Sequence, residues 1–92
     1  MIGLTPDIAA VEVLRHGVVR LTFQDGLSGE VELLGLMQGP VFEEARTRKG
    51  FERVRVDPEA GTIVWPGDAD FAPDTLYIRV KTGKWPRGLR AR

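Results

Sequence analysis

Apolar and polar positions alternate in short bursts along most of the chain. Residues 18–23, VVRLTF, put Val19, Leu21 and Phe23 on one side and Val18, Arg20 and Thr22 on the other, the two-residue period of a half-buried strand. Residues 8–14, IAAVEVL, are apolar and rich in β-branched side chains, and residues 28–33, SGEVEL, alternate Val31 and Leu33 with Glu30 and Glu32. Both predict strands. His16-Gly17 and Asp25-Gly26 separate the three runs, with a glycine placed where a tight reversal needs positive φ. The first third of the chain therefore predicts a three-stranded meander with one apolar face.

The pattern changes at residues 40–49, PVFEEARTRK. Pro40 suits a first helical position, Glu43 and Glu44 precede Arg46, Arg48 and Lys49 in the order that complements a helix dipole, and Gly50 suits a left-handed close. These signals predict a helix over 40–49, docked on the sheet through Val41, Phe42 and Ala45 because ten residues do not hold a helix alone in water. Alternation resumes in 51–56, FERVRV, and in 62–65, TIVW, around the turn Asp57-Pro58-Glu59-Ala60-Gly61, which predicts a second hairpin. Pro66-Gly67 breaks the last strand, and Pro73-Asp74 opens a short helix near 73–78. The expected fold is α+β: a small antiparallel sheet of about five strands, meander plus hairpin, with one helix packed on a face and a short C-terminal helix. Residues 1–80 form the single domain, and 81–92, KTGKWPRGLRAR, without periodicity, form a loosely ordered tail.

Composition narrows the chemistry more than the fold. With 92 residues the chain supports one modest core, so a functional site is expected at the surface. There is no cysteine and a single histidine, His16, which excludes thiolate catalysis, disulfides and paired-histidine metal motifs. No apolar run approaches the length of a membrane span and no signal-like N-terminus is present, so the expected location is cytoplasmic. Net charge is zero, but residues 1–74 hold all 13 acidic residues against 7 basic ones, while 75–92 hold Arg79, Lys81, Lys84, Arg87, Arg90 and Arg92 and no acid.

Three groups of residues carry candidate chemistry. Trp65, Asp68, Asp70 and Tyr77 compose an aromatic and carboxylate patch suited to a partner protein. The competing expectation is purely structural, with Trp65 and Leu76 packed under the sheet and Asp70 holding the loop backbone. Arg79, Lys81, Lys84, Trp85, Arg87 and Arg90 compose a basic segment with one stacking aromatic, suited to weak nucleic-acid binding. Asp68, Asp70 and Asp74 lack the glycine and terminal glutamate of a calcium loop, Ser28 is the single serine and has no base near it in sequence, His16 is expected exposed at a hairpin tip, and no glycine-rich phosphate loop opens a helix. No catalytic residues, metal ligands or cofactors are therefore expected.

Phe23, Asp25 and Gly26, then Phe51, then Trp65, Pro66, Asp70, Pro73, Leu76 and Tyr77 together resemble the small bacterial domain-of-unknown-function family 2442. That family shows an F-x-D-G turn, a phenylalanine before the fourth strand, and W-P-x-G-x-D followed by P-x-x-L-Y. The likeness covers roughly residues 5–78; the departure is that Pro66 and Gly67 are adjacent, which shortens the turn by one residue. The resemblance implies a small α+β domain with no established activity, in a family whose members occur alone, fused to helix-turn-helix domains, or encoded in pairs similar to toxins and antitoxins. The expected function is a non-enzymatic protein-interaction module, antitoxin-like or regulatory, whose partner is another bacterial protein. The alternative is a nucleic-acid-associated regulator acting through the basic tail.

Overall fold

The computed structural model describes residues 5–85. Its elements are β1 (Ile8–Arg15), β2 (Val18–Phe23), β3 (Ser28–Glu32), a short helix α1 (Arg48–Phe51), β4 (Arg55–Asp57), β5 (Thr62–Trp65), β6 (Ala69–Asp70) and α2 (Pro73–Thr82), with 3-10 turns at Leu34–Leu36 and Pro40–Phe42. The α+β class is as expected, but among the described residues the strands number six and form two antiparallel three-stranded sheets, β1-β2-β3 and β4-β5-β6, in place of one sheet of about five. The sixth strand escaped sequence reading because it holds two residues, too few to show a period.

β2 is the centre of the first sheet, and its alternation shows in burial: Val19, Leu21 and Phe23 are in the core and Arg20 is exposed, although Val18, expected on the outer face, is buried as well. On the outer face Arg20 stands between Glu12 and Glu30 and pairs with Glu30 at 3.1 Å, an exposed contact of little energetic weight. β1 carries one-residue irregularities at both ends, between Ile8 and Ala10 and between Val13 and Arg15. It also runs beside β4 and β5, and the Ile8 amide donates to Gly61 O at 3.0 Å, which joins the two sheets.

β5 lies between β4 and β6, and all four of its residues are buried. Trp65 is the hub of an aromatic cluster, with Phe51, Phe71 and Phe42 at centroid distances of 5.8, 6.0 and 6.1 Å. Its Nε1 donates to Phe51 O at 3.1 Å, so the indole is buried without an orphaned donor. Thr62, fully buried, likewise satisfies its hydroxyl by donating to Phe71 O at 2.7 Å.

The helix expected over 40–49 is not continuous. Pro40 opens a single 3-10 turn, and a new start follows at Thr47, whose hydroxyl accepts from the Gly50 amide at 2.9 Å and caps α1. The intervening backbone still makes one α-type bond, Arg46 amide to Phe42 O at 2.9 Å, and breaks at Thr47, which is extended: Arg46 O is bonded by His16 Nε2 at 2.7 Å and not by the Gly50 amide, while the Arg46 guanidinium donates to Met37 O at 2.7 Å. Phe42 and Ala45 are buried as expected, whereas Val41 is exposed. Gly50 lies inside α1 and does not close a helix. The same rearrangement makes Phe51 the end of α1, so the strand expected over 51–56 begins only at Arg55.

The C-terminal helix runs past the expected 78 to Thr82, and Gly83 ends it in the left-handed conformation at φ 78°. The helix thus takes in Lys81 and Thr82, the first two residues of the expected tail, and Trp85 packs half-buried against the core. α2 lies against β3, where Gly29 leaves room for Val80. The rest of the predicted tail, with Arg87 and Arg90, lies outside the described residues.

Candidate functional site

The β2–β3 reversal brings Asp25 to the side of α2. Gly26, at φ 93°, lets the chain turn so that its amide donates to Phe23 O at 2.9 Å and the Phe23 amide to Leu27 O at 2.8 Å. Asp25 then faces two donors: Oδ1 accepts from the Leu27 amide at 2.9 Å, and Oδ2 accepts from the Tyr77 hydroxyl at 2.5 Å. Tyr77 is held from below by an edge-to-face contact with Phe23, centroids 4.9 Å apart, and from the side by Lys81, whose Nζ stands 5.7 Å from the ring centroid. Two segments 52 residues apart in sequence thus meet at one exposed cluster of carboxylate, phenol and ammonium.

The electrostatics of this cluster follow from those bonds. The Tyr77 hydroxyl, then the Leu27 amide, hold the Asp25 carboxyl below the usual carboxylate range; Lys81 acts in the same sense. The Tyr77 phenol is raised, first by its bond to Asp25. Both shifts run away from neutrality, which fixes an ionised acceptor on a neutral donor and does not poise either group to exchange protons near pH 7.

The patch expected from Trp65, Asp68, Asp70 and Tyr77 is divided by the fold. Trp65 is fully buried and unavailable to a partner, as the structural expectation for it held. Its position is fixed by the aromatic cluster, which was not visible until Phe42, Phe51 and Phe71 converged on it. Asp68 is exposed at the tip of the β5–β6 hairpin, in the left-handed region at φ 68°, next to Gly67 at φ 92°. Pro66 and Gly67 fill the central positions of a turn closed by the Asp68 amide on Trp65 O at 3.1 Å, so the shortened motif still makes a complete turn. Asp70 is half-buried on β6, while Tyr77 is at the Asp25 cluster.

Of the basic residues, Arg79 is half-buried and its guanidinium lies 5.4 Å from the Trp85 ring centroid, which covers one face of the expected stacking platform. Lys81 and Lys84 are exposed. His16 is not an exposed tip: besides its bond to Arg46 O it meets Phe51 edge-on at 5.9 Å. Among the described residues, no three His, Cys, Asp or Glu side chains are grouped to hold a metal ion, and no helix is long and apolar enough to cross a membrane.

Two residues of this region were missed from sequence. Asp25 was read as a turn residue only, although it and Tyr77 both belong to the motif pieces F-x-D-G and P-x-x-L-Y. Ile78, 41% exposed, becomes notable once α2 extends to Thr82 and places Asp74, Ile78 and Lys81 on one outward stripe. A family model described as "Protein of unknown function (DUF2442)" matches residues 8–82, from the first residue of β1 to the last of α2. No curated protein and no solved structure matches the chain.

Proposed function

The chain belongs to the DUF2442 family, and on that premise we propose that it is a non-enzymatic protein-interaction module, antitoxin-like or regulatory, that meets its partner through the outward face of α2 beside the Asp25 turn. The observation that carries this reading is the Asp25–Tyr77 bond with Ile78 exposed beside it. An aromatic ring pinned at its hydroxyl, an exposed aliphatic side chain and flanking charges form the composition that protein interfaces favour at their centres and rims. Preset side chains also lower the entropy lost on binding. The shifts at Asp25 and Tyr77 support binding over proton transfer, since both groups keep one protonation state across the neutral range.

The test is affinity capture by the full-length chain from its native cells, with bound protein and nucleic acid both identified. A specific protein should be retained by wild type and by Arg48→Glu on α1, and lost with Ile78→Glu and Lys81→Glu. Identical capture by wild type and Ile78→Glu would remove α2 from the reading. Recovery of nucleic acid instead of protein, with binding that falls steeply as salt rises, would replace it with the nucleic-acid-associated alternative.

A further inference from the structure

α2 turns Asp74, Ile78 and Lys81 outward at positions i, i+4 and i+7, on the side opposite buried Leu76, with Tyr77 flanking them. From Asp74 to Lys81 the helix rises about 10 Å, and along that length the stripe reads negative, apolar, positive. A two-fold axis between positions 77 and 78 maps such a stripe onto its own complement. A second α2 laid antiparallel on the first sets each Asp74 opposite the other copy's Lys81 and each Ile78 beside the other copy's Tyr77.

We propose that the partner this stripe fits is a second copy of the chain, the two pairing through α2 in an isologous contact; this rests on the reading of α2 as the interaction face. Charge complementarity is met twice, once for each Asp74, and the antiparallel arrangement also opposes the two helix dipoles favourably. Ile78 supplies the apolar centre; among the described residues the other exposed large aliphatic side chain is Val41, on an irregular turn and not on a regular face. The stripe is set in advance, because Lys81 stands against the Tyr77 ring and Tyr77 is bonded to Asp25. Two ten-residue helices cover less than the about 800 Å² per partner of a standard interface, so the dimer is weak and salt-sensitive.

Sedimentation equilibrium of the full-length protein, from about 10 μM to about 1 mM at low and high salt, tests the pairing. A reversible monomer–dimer equilibrium that weakens with salt is expected. Ile78→Glu should leave monomer only. Asp74→Lys and Lys81→Asp should each weaken the dimer about tenfold, since each turns two attractions into repulsions, and the double variant should restore it. Lys81→Gln, which leaves the first turn of the helix untouched, should weaken it less than Lys81→Asp, and circular dichroism establishes that each variant is folded. Monomer throughout at low salt, a dimer indifferent to Ile78→Glu, or a double variant no better than the singles would overturn the pairing. A monomeric wild type that still captures an Ile78-dependent protein would refute self-pairing alone and leave α2 as an interaction face.

Discussion

Gly50→Ala is a small substitution at a place where the backbone leaves no room. A Cβ at Gly50 would run into Glu44 O and stand 2.8 Å from Thr47 Oγ1. Glu44 O cannot yield freely, because it accepts from the Thr47 amide at 3.1 Å and from the Thr47 hydroxyl at 2.7 Å. That same hydroxyl caps the Gly50 amide. Relief of the clash therefore disturbs two hydrogen bonds and a cap, each worth roughly 1 kcal/mol, and adds overpacking strain of about 1–3 kcal/mol. Alanine's better helix propensity returns about 1 kcal/mol. The net destabilisation is about 3–5 kcal/mol, and for a chain of this size the melting temperature should fall by roughly 12–40 °C. Differential scanning calorimetry of Gly50→Ala beside Lys49→Ala, an exposed neighbour expected to change stability by no more than about 0.5 kcal/mol, measures it. Gly50→Asn separates two geometries: asparagine is tolerated at a left-handed helix close, but inside α1 it meets the same carbonyl and should be at least as harmful as alanine. A Gly50→Ala melting temperature within about 2 °C of wild type would refute the close approach.

Thr62→Val keeps the side-chain shape but removes the buried bond to Phe71 O; a loss of about 1–3 kcal/mol in chemical denaturation is expected, with Thr62→Ser recovering part of it. Asp25 has a lowered folded-state pKa, so its contribution to stability is present above the ordinary carboxylate range and lost as pH falls below that range through its folded-state value; Tyr77, raised, contributes below the ordinary phenol range and loses this as pH rises through its folded-state value. Tyr77→Phe should flatten both limbs of the melting temperature against pH, and an unchanged profile would show that the bond has no thermodynamic weight. Asp68→Gly should hold or slightly raise the melting temperature, because Asp68 occupies the left-handed region, whereas Asp68→Val should cost about 1–2 kcal/mol.

The elements legible in the sequence were those with a period and a turn on each side. β2 shows this best, since Val19, Leu21 and Phe23 are buried as the alternation requires. Residues 40–49 misled for a physical reason: Pro40, the ordered acids and bases, and Gly50 are each compatible with one helix, but Thr47 can start a helix as well as sit in one. The bond that decides between these, from His16 to Arg46 O, comes from 30 residues away. Burial of Trp65 under the sheet was one of two expectations open from the sequence; the partners that bury it were not legible, because they are phenylalanines from three other segments. The Asp25–Tyr77 contact lay within motif pieces already recognised, yet nothing in their spacing reveals that the turn and the helix touch.

The 52-residue separation of Asp25 from Tyr77 also bears on how the chain is made. The β1–β3 meander is synthesised before α2, which supplies the cover over the Phe23 end of its apolar face. Until α2 is made and docks, therefore, the meander carries Phe23 and its neighbours uncovered, a state in which exposed strands associate with other chains. A message truncated before Pro73 would yield a polypeptide that retains all six described strands and lacks their closing helix, and its fate should be chaperone capture or aggregation.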